Sequence, residues 1–174
     1  MAAAATQKSQ QAQADQKEKT HETIQVVEFV LGRELFAIDL FDVKEVVEYT
    51  TITKLPNTPP YIKGIIDLRG EITTIVDLKE RLNIHEDGGI SEENKRIIVL
   101  DEKITESKIG IIVDDVSSVS TFEMGQVDSS SASGNSDDHT ILGIIKKKVR
   151  VKDKEVNGLI IWIDIKPLLK DIHI

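Results

Sequence analysis

Between residues 61 and 78 the apolar side chains Ile66, Leu68, Ile72, Val76 and Leu78 take even positions, and Asp67, Arg69, Glu71, Thr73 and Asp77 take odd ones. Strand side chains alternate between faces, so this stretch predicts a half-buried hairpin turning near Arg69 and Gly70. A two-residue loop would set Leu68 opposite Glu71 and mismatch the faces. A three-residue loop over 69–71 sets Leu68 opposite Ile72 and keeps both inside. Glycine is commonly third in that loop class but second here, which leaves the turn type open. In both cases Arg69 stands at an exposed corner flanked by acids, with Gly70 freeing the backbone beside it.

The same reading predicts strands over residues 24–31 and 35–40, joined by a turn at 32–34. Asp42 followed three residues later by Glu45 is a capping-box pattern and predicts one or two helical turns over 42–48. A short strand at 51–55 runs into a proline-rich break at 56–60. Residues 77–82 predict a short helix, and 83–94, with Gly88 and Gly89, a polar linker where one half ends. Residues 96–100 and 108–113 predict another hairpin, and 116–124 stay open between strand and loop. The serine-rich run 128–138 predicts a mobile loop. Strands at 141–145, 147–152 and 158–163 and a helix at 164–169, with Pro167 in its first turn, close the chain. Residues 1–22 are Ala, Gln, Lys and Glu with no apolar face to dock, and predict a flexible tail. Many short strands with small helices between them point to barrels rather than an open sheet.

Composition narrows the function classes. The chain has 174 residues, enough for one domain built of two sub-cores, and its net charge is −8. Aromatics are only 4%, and the basic run Lys146, Lys147, Lys148, Arg150 and Lys152 stands alone, so neither stacking nor a broad cationic face supports nucleic-acid binding. There is no cysteine, hence no disulfide and no thiol chemistry, which suits a reducing compartment. No apolar run approaches the ~20 residues of a membrane span, and the first residues lack a signal-peptide pattern. The expectation is a cytoplasmic protein.

Catalysis finds no machinery. Asp137, Asp138 and His139 lie in the serine-rich run, where no rigid shell can hold a metal. The neighbours Asp114 and Asp115 have no histidine or lysine close in sequence to divide acid and base roles. No cofactor, metal or nucleophile is expected. Gly64 and Gly110 interrupt strand patterns, as glycine does at a bulge or a close backbone approach. Trp162, between isoleucines, reads as core.

Seven phrases in order carry a resemblance: Phe36 to Leu40, Val43 to Val46, Leu55 to Pro59, Ile62 to Gly64, Leu68 to Gly70, Ile75 to Leu78, and Gly110 to Asp114. Together they resemble the CheW family of chemotaxis coupling proteins over residues 23–169. The resemblance implies a mainly β fold of two small five-stranded SH3-like barrels packed on a shared apolar interface, with short helices. The first barrel would lie at about 36–85 and the second at about 95–160, the chain ends completing them within a domain at 23–174. It also implies a non-catalytic scaffold that joins the cytoplasmic tip of chemoreceptors to the regulatory domain of a CheA-type histidine kinase, held at the membrane through receptor arrays and monomeric when free. An adaptor of another receptor–kinase pathway, such as one for pilus motility, is the alternative, and a small-ligand-binding barrel a further one.

By the same resemblance Arg69, Glu45, Leu40, Val43 and Val46 form a receptor-binding region, where an apolar groove would accept a receptor helix. Val116 and Val119 would belong to a kinase or other partner surface. Each has a plainer reading: Arg69 as a solvated arginine between Asp67 and Glu71, Glu45 as a helix cap, Leu40, Val43 and Val46 as core, and Val116 and Val119 as half-buried strand residues. Three departures stand out: Asp67 where the family usually has Asn, Asp114-Asp115 in place of Asp-Gly, and longer segments at the serine-rich loop and 146–155. A tight Asp67–Arg69 pair would have to break before Arg69 could bind a partner.

Overall fold

A computed structural model describes residues 22–85, 91–130 and 140–172. The expected tail, except residue 22, the glycines Gly88 and Gly89, and most of the serine-rich run, including Asp137, Asp138 and His139, lie outside the described residues. One antiparallel hairpin opens each half of the chain. The first pairs β1 (Thr23–Leu31) with β2 (Glu34–Asp39), and the second pairs β6 (Arg96–Leu100) with β7 (Ile109–Val113). Behind the first come β3 (Val43–Glu48), β4 (Ile62–Leu68), β5 (Glu71–Asp77) and the helix α1 (Leu78–Arg81). Behind the second come β8 (Asp115–Glu123), β9 (Val127–Asp128), β10 (Ile141–Val151), β11 (Lys154–Ile163) and the helix α2 (Ile165–Leu169).

The two hairpins are exchanged between the halves. One sheet runs β8-β1-β2-β11-β10-β9 and the other β3-β6-β7-β5-β4, so the fold is mainly β with sheets of six and five strands. The sheets therefore do not divide between residues 36–85 and 95–160. β6 and β7 complete the sheet of β3–β5, and β1 and β2 complete that of β8–β11, because the chain crosses between sheets after Asp39 and again at Asp114. The sixth strand is the two-residue β9.

Each sheet curls because one bent segment meets both of its edges. After pairing with β6, the β3 segment continues to Thr53, which bridges Ile65 on β4. After pairing with β1, the β8 segment continues through a 3-10 turn into β9, which pairs with β10.

Exchange explains the apolar runs. β6 and β7 are buried on both faces, as their near-continuous isoleucine and valine sequences require. Ile98, Leu100, Ile109 and Ile111 join Val27, Phe29, Leu31, Phe36 and Ile38 in one core between the two sheets. The alternate residues Ile97, Val99 and Ile112 fill a smaller core within the five-stranded sheet, matched by Val26, Ala37 and Phe122 in the other. Each fully buried side chain of this size stabilises by roughly 1.5–3 kcal/mol. Trp162 only packs partly against the second small core, and its indole nitrogen is buried without a hydrogen-bond acceptor.

Three local expectations change. Residues 43–48 are a strand, not a helix; Asp39 instead caps a 3-10 turn over Leu40–Asp42, accepting the Phe41 N–H at 2.9 Å. Residues 141–151 are one strand across the lysine run. The expected strand at 51–55 shrinks to the single bridge at Thr53. At Asp114 the N–H donates to Val30 O at 3.0 Å, and Asp115 enters β8 paired with Val30. Asp77 caps α1 and Asp164 caps α2. Asp114 is buried, accepts the Gly32 N–H at 2.7 Å and lies 2.9 Å from Lys79 Nζ.

Candidate partner-binding surface

The β4–β5 hairpin turns in two residues, with Leu68 opposite Glu71 and Asp67 opposite Ile72. Arg69 has φ 54° and Gly70 φ 83°, the positive pair of a type I′ turn, whose twist suits a hairpin. The three-residue loop is thus excluded, and Ile72 lies outside at 60% exposure. Alternation fails along β5 because Ile75 faces the small core and Val76 the large one, while Thr73 and Thr74 are both buried. A bulge between Ile62 and Gly64 shifts the ladder further along. There Gly64 has φ +142°, and a Cβ would stand 2.0 Å from Thr53 O, where the sheet closes. Gly110 is tight in another way, since a Cβ would meet Ile97 Cγ2 at 2.8 Å.

Asp67 does not hold Arg69. Its carboxylate accepts the Gly70 N–H at 2.7 Å and so braces the turn. Arg69 reaches instead to β3, where Nη2 lies 2.5 Å from Glu45 Oε2. The Arg69 side chain remains 72% exposed and that of Glu45 only 23%. Glu45 pairs with Val99 in the ladder just past a bulge, which makes it a strand residue that grips an arginine rather than a helix cap.

Alongside, Lys108 bridges Glu71 and Glu102, and Lys44 meets Glu102 at 3.3 Å. Hydrogen bonds from Lys44 and Lys108 lower the Glu102 carboxyl below its ordinary value, and the bond to Glu71 raises the Lys108 ammonium against its partial burial. Three cations and three acids thus interlock around a small recess floored by Leu68, Thr73, Val99 and Leu100.

The other expected residues are placed unequally. Val46, beside Glu45, is 41% exposed, whereas Leu40 and Val43 pack partly against the large core. Between them Phe41 stands 67% exposed, with Lys103 Nζ 6.0 Å from its ring centroid. Sequence reasoning passed over Phe41 because a helix over 42–48 gave it no outward position. Val119 is 61% exposed on β8 and Val116 packs partly inward, so both belong to the six-stranded sheet and are not brought into the Arg69 recess. Among the described residues no three His, Cys, Asp or Glu side chains gather as metal ligands, and no helix is long and apolar enough to cross a membrane.

A CheW-like domain model matches residues 25–173. The chain belongs to the CheW-like family. It is 38% identical over 99 residues to the chemotaxis protein CheW of Klebsiella aerogenes, covering 57% of each chain. It is 34% identical over 127 residues to CheW of Bacillus subtilis, covering 72% of this chain and 78% of that one. With CheW of Treponema pallidum, 35% identical, the match covers 64% of the relative, so the chain spans under two thirds of two of these relatives. The crystal structure of the scaffolding protein TtCheW from Thermoanaerobacter tengcongensis superposes with a TM-score of 0.68 at 34% identity, covering 87% of this chain and 95% of that one. The CheW-like fold is thus common to both, with SH3-like sheets and few helices.

Proposed function

We propose that this CheW-like chain is a non-catalytic chemotaxis coupling protein that links the cytoplasmic tips of chemoreceptors to a CheA-type histidine kinase. The observation that carries the reading is the likeness, along nearly its whole length, to a structure described as a scaffolding protein. The exposed Arg69 supports a binding role. Its guanidinium offers a planar fork of donors, and Glu45 engages only one nitrogen, so the remaining N–H groups can meet a carboxylate or the last carbonyls of a receptor helix. Glu45 fixes the fork on one side, which reduces the side-chain entropy lost on binding. Val46 and Phe41 supply apolar contact beside it, and Val119 offers a second surface for the kinase on the other sheet.

The chain acts at the membrane only through receptors, as a cytoplasmic partner in their arrays. Co-sedimentation with receptor-containing membranes, with and without the kinase, tests this. The chain should pellet with receptors and draw more kinase down with it. A chain that stays in the supernatant in both cases would refute the coupling role.

A further inference from the structure

Beyond Ile145 and Ile160 the β10–β11 hairpin leaves its sheet. β9 pairs with β10 only at Ile144 and Ile145, and β2 pairs with β11 only from Ile160 to Trp162. Residues 146–159 continue as a two-stranded arm, paired from Lys146–Leu159 out to Val151–Lys154 and turned by Lys152 (φ 50°) and Asp153 (φ 60°). At ~3.3 Å per residue its reach is roughly 20 Å. Its root is fixed, because Lys147 Nζ lies 3.2 Å from both carboxylate oxygens of the buried Glu28.

The arm's charge opposes that of everything else. It holds six lysines and arginines against Asp153 and Glu155, which leaves the rest of the chain with 16 cations and 28 acids, a net −12. Surface charges are screened over ~8 Å at physiological salt, so the outer arm keeps its positive field beyond the acidic body. Lys146, Lys148, Arg150, Lys152 and Lys154 are exposed, and so are Val151, Val156 and Leu159. The outer backbone edges of both strands pair with no other described strand.

The occupant follows from what the arm lacks. It has no aromatic residue on which a nucleic-acid base could stack. Residues directly opposite share a face, so Val149 and Val156 lie on one face and Leu159, with Lys146, on the other. Val151 and Lys154 share the face of Val149 and Val156, while Lys148 and Arg150 lie on the face of Lys146. Three valines make only a small apolar face, and the unpaired backbone edges beside it would find no hydrogen-bond partner among acyl chains. Free strand edges, a cationic face and a small valine face suit an acidic protein surface, and the rest of this chain, at net −12, is acidic.

We propose that the arm docks on the acid-rich body of a second copy of this chain, a head-to-tail contact driven by charge, so that at low salt the free chain is not the monomer that the family resemblance implies. The proposal stands apart from receptor coupling. Sedimentation velocity of the full chain across protein concentration tests it at about 20 mM and about 500 mM salt. At low salt the mean mass should rise above the monomer with concentration, and at high salt it should return to the monomer. The triple variant Lys146→Gln/Lys148→Gln/Arg150→Gln, which spares Lys147, should associate at least ~10-fold more weakly with an unchanged circular dichroism spectrum. A wild-type chain that is monomeric throughout overturns the proposal, as does an equally associating variant or association that survives high salt. Arm-dependent pelleting with phosphatidylglycerol vesicles, or binding to single-stranded DNA, by a chain that stays monomeric would overturn it in favour of those partners.

Discussion

Arg69 and Glu45 meet across 24 positions of sequence, with Nη2 2.5 Å from Oε2. The hairpin tip and β3 lie near opposite ends of the five-stranded sheet, and curling of that sheet is what brings the two residues together. An exposed pair of this kind contributes about 0–1 kcal/mol, so its value lies in aiming the guanidinium. Glu45→Ala should therefore lower unfolding free energy by no more than about 1 kcal/mol in urea titrations. Receptor affinity should fall several-fold, because the arginine is no longer held.

Asp67 gives a finer test of the turn. Its carboxylate oxygen caps Gly70 N–H, and an asparagine carbonyl could accept the same bond. Asp67→Asn should leave stability within ~0.5 kcal/mol, while Asp67→Ala should lose ~1 kcal/mol with the hydrogen bond. Equal losses in the two variants, measured by urea unfolding, would remove the cap from the account.

The two glycines of the hairpin should separate sharply on substitution. At Gly70 the backbone is left-handed but space is open, and Gly70→Ala should cost ~1 kcal/mol. At Gly64 a Cβ would overlap Thr53 O in a backbone conformation L side chains rarely adopt. Gly64→Ala should then cost upward of ~3 kcal/mol or leave no folded protein, read by thermal melts.

Glu28 ties three strands together. Its buried carboxylate accepts from Ser118 and Ser120 on β8 and pairs with Lys147 on β10. Burial pushes its pKa up, but the two serine hydroxyls and the lysine outweigh burial, and the net shift is downward. A carboxyl lowered on folding adds stability that is fully present above its unfolded value, ~4.3, and is lost as pH falls through the folded value. The chain should lose stability on acidification below about pH 4–5, and Glu28→Gln should flatten that part of the profile. Glu28→Ala should cost roughly 1–3 kcal/mol at neutral pH by taking the shared acceptor from the two serine hydroxyls, while Lys147, 39% exposed, turns to water.

Local pattern carried the strands and both helix caps. The runs at 96–100 and 108–113 announced a hairpin, though not its burial on both faces, and residues 77–82 and 164–169 announced their helices. What pattern could not carry was contact between distant segments. The linker at 83–94 was read as the place where one half ends, and nothing in periodicity says that the opening hairpins trade places. The same limit hid the Arg69–Glu45 pair. Asp67 and Glu71 were the acids near Arg69 in sequence, and Glu45 became near only through closure of the sheet. At 42–48 a capping-box pattern competed with a strand. The strand won because β6 offered a ladder for it and Asp39 capped the turn in place of Asp42.

The most direct test of the coupling role is kinase activity with receptor-containing membranes and the Arg69→Glu variant. Arg69 makes no buried contact, so the variant should melt within a few degrees of wild type and still bind the kinase. Receptor-dependent stimulation of the kinase should be abolished. Full stimulation by a folded Arg69→Glu chain would contradict the placing of the receptor at this hairpin tip.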